Sequence, residues 1–243
     1  MILKFARFDT AITITKEYIS TYEIQNQHIF AEVVEALSSE KGSEADVPYF
    51  LWDEKGKELK PFKAFFFVNG LPLVTLNDKS LLTGLYLKLF RRIEDDQELS
   101  LNLQTIAHQI ESQISNLQIE MFGSYEFSNF WSSDIFLKAF GFGPECGDSL
   151  IEKLKAYCGL VADGAPSKPI CFVNLKSFLT KEELESLFEY IFSLGISVLL
   201  VESWHDKRII EKERKTIVDQ QFIEYTFDNK SVERPSFAAG FCS

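Results

Sequence analysis

Two short apolar runs flank a helical pattern between Lys168 and Ser203, and they give the clearest signal in the chain. Residues 170–173 and 196–201 are rich in β-branched side chains and nearly free of charge, as expected of strands covered on both faces. Between them Leu184, Leu187, Phe188, Ile191 and Phe192 recur at helical spacing, while Glu182, Glu183, Glu185 and Glu189 fall on the opposite side. Thr180 and Glu183 form a capping-box pair, and Gly195 stands where a left-handed residue ends a helix. The pattern predicts a βαβ unit whose long connection sets the two strands parallel in one sheet.

Alternation at residues 1–8 and 11–15, with Asp9 and Thr10 between, predicts a β-hairpin, and residues 18–24 read as a third strand. A helix capped by Asn26 follows, with Ile29, Phe30, Val33, Val34 and Leu37 on one face. Residues 49–52 and 58–60 flank the turn Asp53-Glu54-Lys55-Gly56 and read as an exposed hairpin. An apolar strand at 64–68 closes on Asn69-Gly70.

The period then becomes helical. Asp78 caps a helix bearing Leu81, Leu82, Leu85, Tyr86 and Leu89. Glu94, Asp95, Asp96 and Glu98 then open a longer one, where negative charge favours the helix N-terminus. Leu99, Leu103, Ile106, Ile110, Ile114, Leu117 and Met121 follow at three- and four-residue steps for about six turns. One apolar stripe on so long a helix needs a partner, either the helical stretches at 134–140 and 148–158 or another subunit. The chain therefore reads as an α/β domain, residues 1–77 and 161–243, with a mostly parallel sheet built from both ends and a helical insertion at 78–160. After Ser203 the pattern predicts a mixed charged helix over 206–215 and a last strand over 221–227.

The 243 residues carry a net charge of −11, which on average argues against a nucleic-acid partner. The average leaves room for basic side chains concentrated on one surface. Cys146, Cys158, Cys171 and Cys242 show no CxxC spacing, the usage of reduced thiols in a cytoplasmic protein. Lys4 and Arg7 interrupt any signal peptide, and the longest apolar window is about half a membrane span, so no membrane partner is expected.

The chemistry is mostly absent from the sequence. There is no GxxxxGK[ST] phosphate loop, no GxSxG elbow and no HExxH, and His28, His108 and His205 fall on separate elements. Asn174 and Glu202 fall just past the carboxyl ends of the two parallel strands, where they would either meet a nucleotide or cap the strand ends. A protein that binds, and does not turn over substrate, is the expectation. Three basic groups could serve binding. Lys55, Lys57, Lys60 and Lys63 alternate along the hairpin and its exit. Lys88, Arg91 and Arg92 cluster at a helix end, where they either contact duplex phosphates or complement their own helix C-terminus. Lys207, Arg208, Lys212, Arg214 and Lys215 are balanced by neighbouring acids and read as a solvated face.

The run from Lys168 to Ser203 resembles the C-terminal βαβ segment of the Csn-two family, the ring-forming accessory proteins of spacer acquisition in type II-A CRISPR loci. The matching residues are Phe172-Val173-Asn174, the capped acidic helix from Thr180 and the strand from Val198 to Glu202. The strand before Asn69-Gly70, the leucine-rich helix, the acidic entry to the long helix and DIFLKAFGF at 134–142 come in the family's order. The resemblance implies a P-loop-ATPase-like head lacking a working nucleotide site and an α-helical leg. It also implies a homotetramer whose inner surface threads linear double-stranded DNA beside the locus's integrase proteins and RNA-guided nuclease. Calcium held by leg carboxylates is implied too. Residues 121–133 are mainly aromatic and polar with Glu126 the only acid, which leaves Glu120, Glu126 and Asp134 as ligands; Tyr125, Phe127, Phe130 and Trp131 read as packing. Two competitors remain: a scaffold of the adaptation complex without DNA contact, and an active NTPase or nuclease of P-loop ancestry.

Overall fold

The computed structural model describes residues 1–117, 123, 133–208 and 210–228. Strands occupy Ile2–Phe5 (β1), Ile12–Thr13 (β2), Ile19–Ile24 (β3), Tyr49–Trp52 (β4) and Phe66–Val68 (β5) in the first part of the chain. Ile170–Val173 (β6), Val198–Glu202 (β7), Glu213–Val218 (β8) and Glu224–Asp228 (β9) supply the rest. The helices are Gln27–Ser39 (α1), Lys79–Asp95 (α2), Gln97–Leu117 (α3), Ser133–Ala139 (α4), Leu150–Gly164 (α5) and Lys181–Leu194 (α6).

The larger sheet has the order β5-β6-β7-β3-β8-β9, parallel throughout except for the antiparallel edge strand β9. The unit β6-α6-β7 has the expected parallel pairing, with both capping-box bonds present at Thr180 and Glu183 and Gly195 left-handed at φ 63°. Side chains on successive strand positions point to opposite faces, which builds two cores. Ile170, Phe172, Val198 and Leu200 pack under α2, α5 and α6, whereas Cys171, Leu199 and Val201 pack against α1 and the small sheet β2-β1-β4. Tyr22 of β3 joins the two sheets, its ring 5.8 Å from Phe5 and 5.9 Å from Phe8.

Helix α2 lies on α5 at unusually close range. A Cβ placed on Gly84 would stand 2.1 Å from the carbonyl oxygen of Gly164, and one on Gly164 would stand 2.5 Å from that of Leu81. The last turns of α5 are themselves core, with Tyr157, Cys158, Leu160 and Val161 buried. Helix α5 therefore packs on α2 and α6. The stripe on α3 keeps Leu99, Ile106, Ile110, Ile114 and Leu117 exposed, and Ala107 is the buried residue of that helix.

One expected element is different. The described residues of 206–215 form no helix, and the chain enters β8 at Glu213. Glu213, Lys215 and Ile217 point to one face of that strand and are buried, so a charged pattern belongs to the interior. The last strand, expected over 221–227, occupies Glu224–Asp228. Among the described residues, no helix is long and apolar enough to cross a membrane.

Candidate functional site

Two clusters of charge sit at opposite ends of the parallel strands. The first is basic and lies beyond the amino ends of β5 and β6. Asp53 fixes the hairpin tip, its Oδ1 accepting the backbone N–H groups of Lys55 (2.8 Å) and Lys57 (2.9 Å), and Gly56 supplies the left-handed residue at φ 78°. The chain leaves through a turn in which the Ala64 N–H donates to Pro61 O at 3.0 Å and Lys63 takes a left-handed φ of 55°. Phe66 then pairs with the entry of β6, its N–H donating to Pro169 O at 2.9 Å. That bond brings the residue before Pro169 beside the hairpin exit.

Lys55, Lys60, Lys63 and Lys168 consequently line one cleft of about 590 Å³, together with Asp53 and Glu54. Four lysines against the two carboxylates leave the cleft net basic, and the Asp53 carboxylate is held in place by its own turn. Lys168 is an addition to the expected site residues. Its Nζ lies 4.1 Å from the centroid of the Phe66 ring. Burial, helped by the charge of Lys63, holds its pKa below the ordinary lysine value, against the pull of Glu40 and Asp78. A lysine directly before a proline at a buried strand's entry is the signal that marks it. Lys57 is exposed on the hairpin but does not line the cleft. Lys88, Arg91 and Arg92 are elsewhere, on α2, where Lys88 is paired with Asp163 at 2.5 Å. Glu120 and Glu126 lie outside the described residues, as do the side chain of Asp134 and the aromatics Tyr125, Phe127, Phe130 and Trp131. Among the described residues, no three His, Cys, Asp or Glu side chains are grouped to hold a metal.

The second cluster is buried and lies toward the carboxyl ends. Asn174 and Glu202 act there as strand-end caps: Asn174 Oδ1 accepts the Ser203 N–H at 2.9 Å and Glu202 Oε1 accepts the Lys176 N–H at 3.1 Å. Lys176 is 2% exposed and its ammonium contacts Glu213, Glu23 (3.3 Å) and Asp206 (3.5 Å). Lys215 reaches Glu23 at 3.2 Å and donates to the backbone oxygens of Asp206 and Arg208. Arg208 pairs with Asp206 and ties the carbonyls of Leu179 and Lys176. Burial alone would lower the pKa of Lys176, but Glu213, then Glu23 and Asp206, outweigh it and hold the ammonium charged.

Three cations thus face Glu23, Asp206 and Glu213, and Glu202 is the surplus carboxyl. Burial pushes its pKa from 4.5 up to about 8, against the favourable Lys176 N–H. The native protein then holds a proton that the unfolded chain releases, so this group makes stability fall as pH rises from about 4.5 toward about 8. Glu202→Gln is expected to raise stability at about pH 8 by roughly 2–4 kcal/mol and to change it little near pH 4.5. Thermal melts of both proteins across that range check it. A variant less stable than the parent at pH 8 would show that the ionised carboxylate is needed.

The connection from β3 to α1 bears on nucleotide chemistry. It is two residues long: the Gln25 N–H donates to Val218 O at 2.9 Å, and Asn26 Oδ1 takes the first free amides of α1, those of His28 and Ile29. A phosphate loop uses several such amides, and here Asn26 already takes two of them.

The profile of the family described as CRISPR-associated protein (Cas_Csn2) matches residues 43–222. The CRISPR-associated protein Csn2 of Enterococcus faecalis is 24% identical over 223 residues, which cover 91% of this chain and 97% of that one. The crystal structure of Stu0660 of Streptococcus thermophilus shares the fold, with a TM-score of 0.57 at 15% identity over 90% of this chain and 75% of that one. A putative ABC transporter ATP-binding protein from Pyrococcus furiosus aligns at a TM-score of 0.40 with 9% identity, too slight a likeness to carry weight.

Proposed function

Because the chain belongs to the CRISPR-associated Csn2 family, we propose that it serves CRISPR adaptation as a non-catalytic protein that binds the ends of double-stranded DNA. The observation that supports DNA contact is the cleft that gathers Lys55, Lys60, Lys63 and Lys168 on a chain of net charge −11. Lysines spaced along one surface are what a phosphate backbone requires, and an acidic remainder keeps other surfaces off the duplex. Lys57 is exposed on the same hairpin, and Arg91 and Arg92 are exposed on α2 as a separate basic group, in which Lys88 contributes less because Asp163 already pairs with it. The short β3-α1 turn, with the His28 and Ile29 amides taken by Asn26, supports a head without a working nucleotide site.

The exposed stripe on α3 supports assembly. Its leucines and isoleucines need cover that the described residues do not provide, and a second copy of the leg, residues 78–160, would supply it in a homotetrameric ring. Calcium belongs to the same reading: Glu120, Glu126 and Asp134 are hard oxygen donors, and backbone carbonyls and water would complete the six to eight ligands the ion prefers. The protein would work in the cytoplasm beside the integrase proteins and the RNA-guided nuclease of its locus.

The decisive experiment is a gel shift on linear and covalently closed circular duplexes of one sequence, with calcium and with chelator. Binding to the linear form alone is expected, and equal binding to both would remove threading over ends. Replacing the four cleft lysines with alanine is expected to lower duplex affinity at least tenfold in moderate salt. It should also flatten the slope of log K against log salt by about 3 to 4. An unchanged slope would place the DNA elsewhere.

A further inference from the structure

The cleft also contains an aromatic ring that duplex binding leaves unused. Phe62 is 65% exposed at the tip of the Pro61–Ala64 turn, with Lys63 Nζ 5.1 Å from its ring centroid. Proline before it and a left-handed residue after it hold the turn in shape, so the ring is presented and not merely loose. An apolar ring this exposed loses free energy to water unless something covers it. The cleft around it sets Lys55, Lys60, Lys63 and Lys168 against Asp53 and Glu54, a net positive lining that suits an anionic occupant over an apolar peptide.

A ring beside spaced lysines matches the two faces of a nucleotide: phosphate oxygens for the ammonium groups, and a flat base for the phenyl face. Inside a duplex the base faces are stacked on one another and closed to a side chain, and a blunt end offers only the outer face of its last pair, so Phe62 gains most where the strands have parted and single bases are free on both faces. We propose that this cleft receives the unpaired nucleotides of a single-stranded overhang or frayed end, Phe62 stacking on a base while Lys55, Lys60 and Lys168 hold the flanking phosphates. The proposal rests on the DNA-binding reading above and adds a preference to it: ends with a short unpaired tail bind more tightly than blunt ones. Base stacking on an aromatic side chain tolerates any base, so the preference is for the state of the end and not for its sequence.

Fluorescence anisotropy with three probes tests this: a blunt duplex, the same duplex with a five-nucleotide 3′ tail, and the duplex with a 5′ tail. Wild-type protein is expected to bind at least one tailed duplex about tenfold more tightly than the blunt one. Phe62→Ala is expected to erase that difference while blunt-duplex affinity stays within twofold, and Phe62→Trp to keep it. Because Phe62 lies at an exposed tip, neither substitution disturbs the cores. Equal wild-type binding to blunt and tailed probes would overturn the proposal and leave duplex binding intact. A tail preference that survives Phe62→Ala would overturn it equally. Tail binding through Phe62 without any blunt binding would support the cleft's role and overturn the duplex-end reading instead.

Discussion

Lys176→Met is expected to destabilise the protein by about 3–5 kcal/mol, the largest effect of any single charge here. Methionine is close to lysine in length and keeps the stem packed, so the loss is electrostatic. It strips the shared partner from Glu213, Glu23 and Asp206, none of which reaches bulk water, and leaves Lys215, Arg208 and the His205 ring, 2.8 Å from Glu23, against them. Urea unfolding would show the midpoint fall, and the deficit should shrink toward acid pH as the stranded carboxylates take up protons. Adding Glu213→Gln should restore part of the loss. A Lys176→Met variant as stable as the parent at about pH 8 would mean that the cluster is not held by charge.

Gly84→Ala is expected to cost about 2–3 kcal/mol, although alanine is the better helix former by about 1 kcal/mol. The added methyl would meet the Gly164 carbonyl at 2.1 Å, and both partners are backbone within helices that cannot bend a rotamer out of the way. The helices must separate, which opens the core between α2, α5 and the sheet. Thermal unfolding of the alanine variant reads the cost, and Gly164→Ala, blocked by the Leu81 carbonyl at 2.5 Å, should behave likewise. A rise in melting temperature would show that α2 slides on α5 freely.

The βαβ unit is legible in the sequence because its signals are local: Thr180 and Glu183 bond to one another, and Gly195 ends the helix it follows. The strand at 213–218 is not, because its buried charges find their partners far away. Glu213 and Lys215 read as a solvated face, yet they meet Glu23, Thr21 and Lys176 across the sheet. The run Thr216-Ile217-Val218 carries a β-branched hint that the charges outweigh. In the basic cleft, the alternating hairpin lysines are readable by spacing, whereas Lys168 joins them only through the pairing of β5 with β6. Glu202 is recognisable as a strand-end group, but its held proton depends on the cluster beneath it.

The central position of β3 has a consequence during synthesis. Its neighbours on both sides, β7 and β8, come from the other end of the chain, and Thr21 waits for Glu213 across 192 residues. At ribosomal speeds of about 5–20 residues per second, roughly 10–40 s pass before that partner exists. For most of that time β3 has both edges open and Glu23 has no cation, since β7 and Lys176 also come late, so the nascent chain exposes an unpaired strand for much of its translation. Docking of β3 between its two late neighbours is therefore a closing event, and the lysines at 176 and 215 are the latch that a nearly finished chain brings to it.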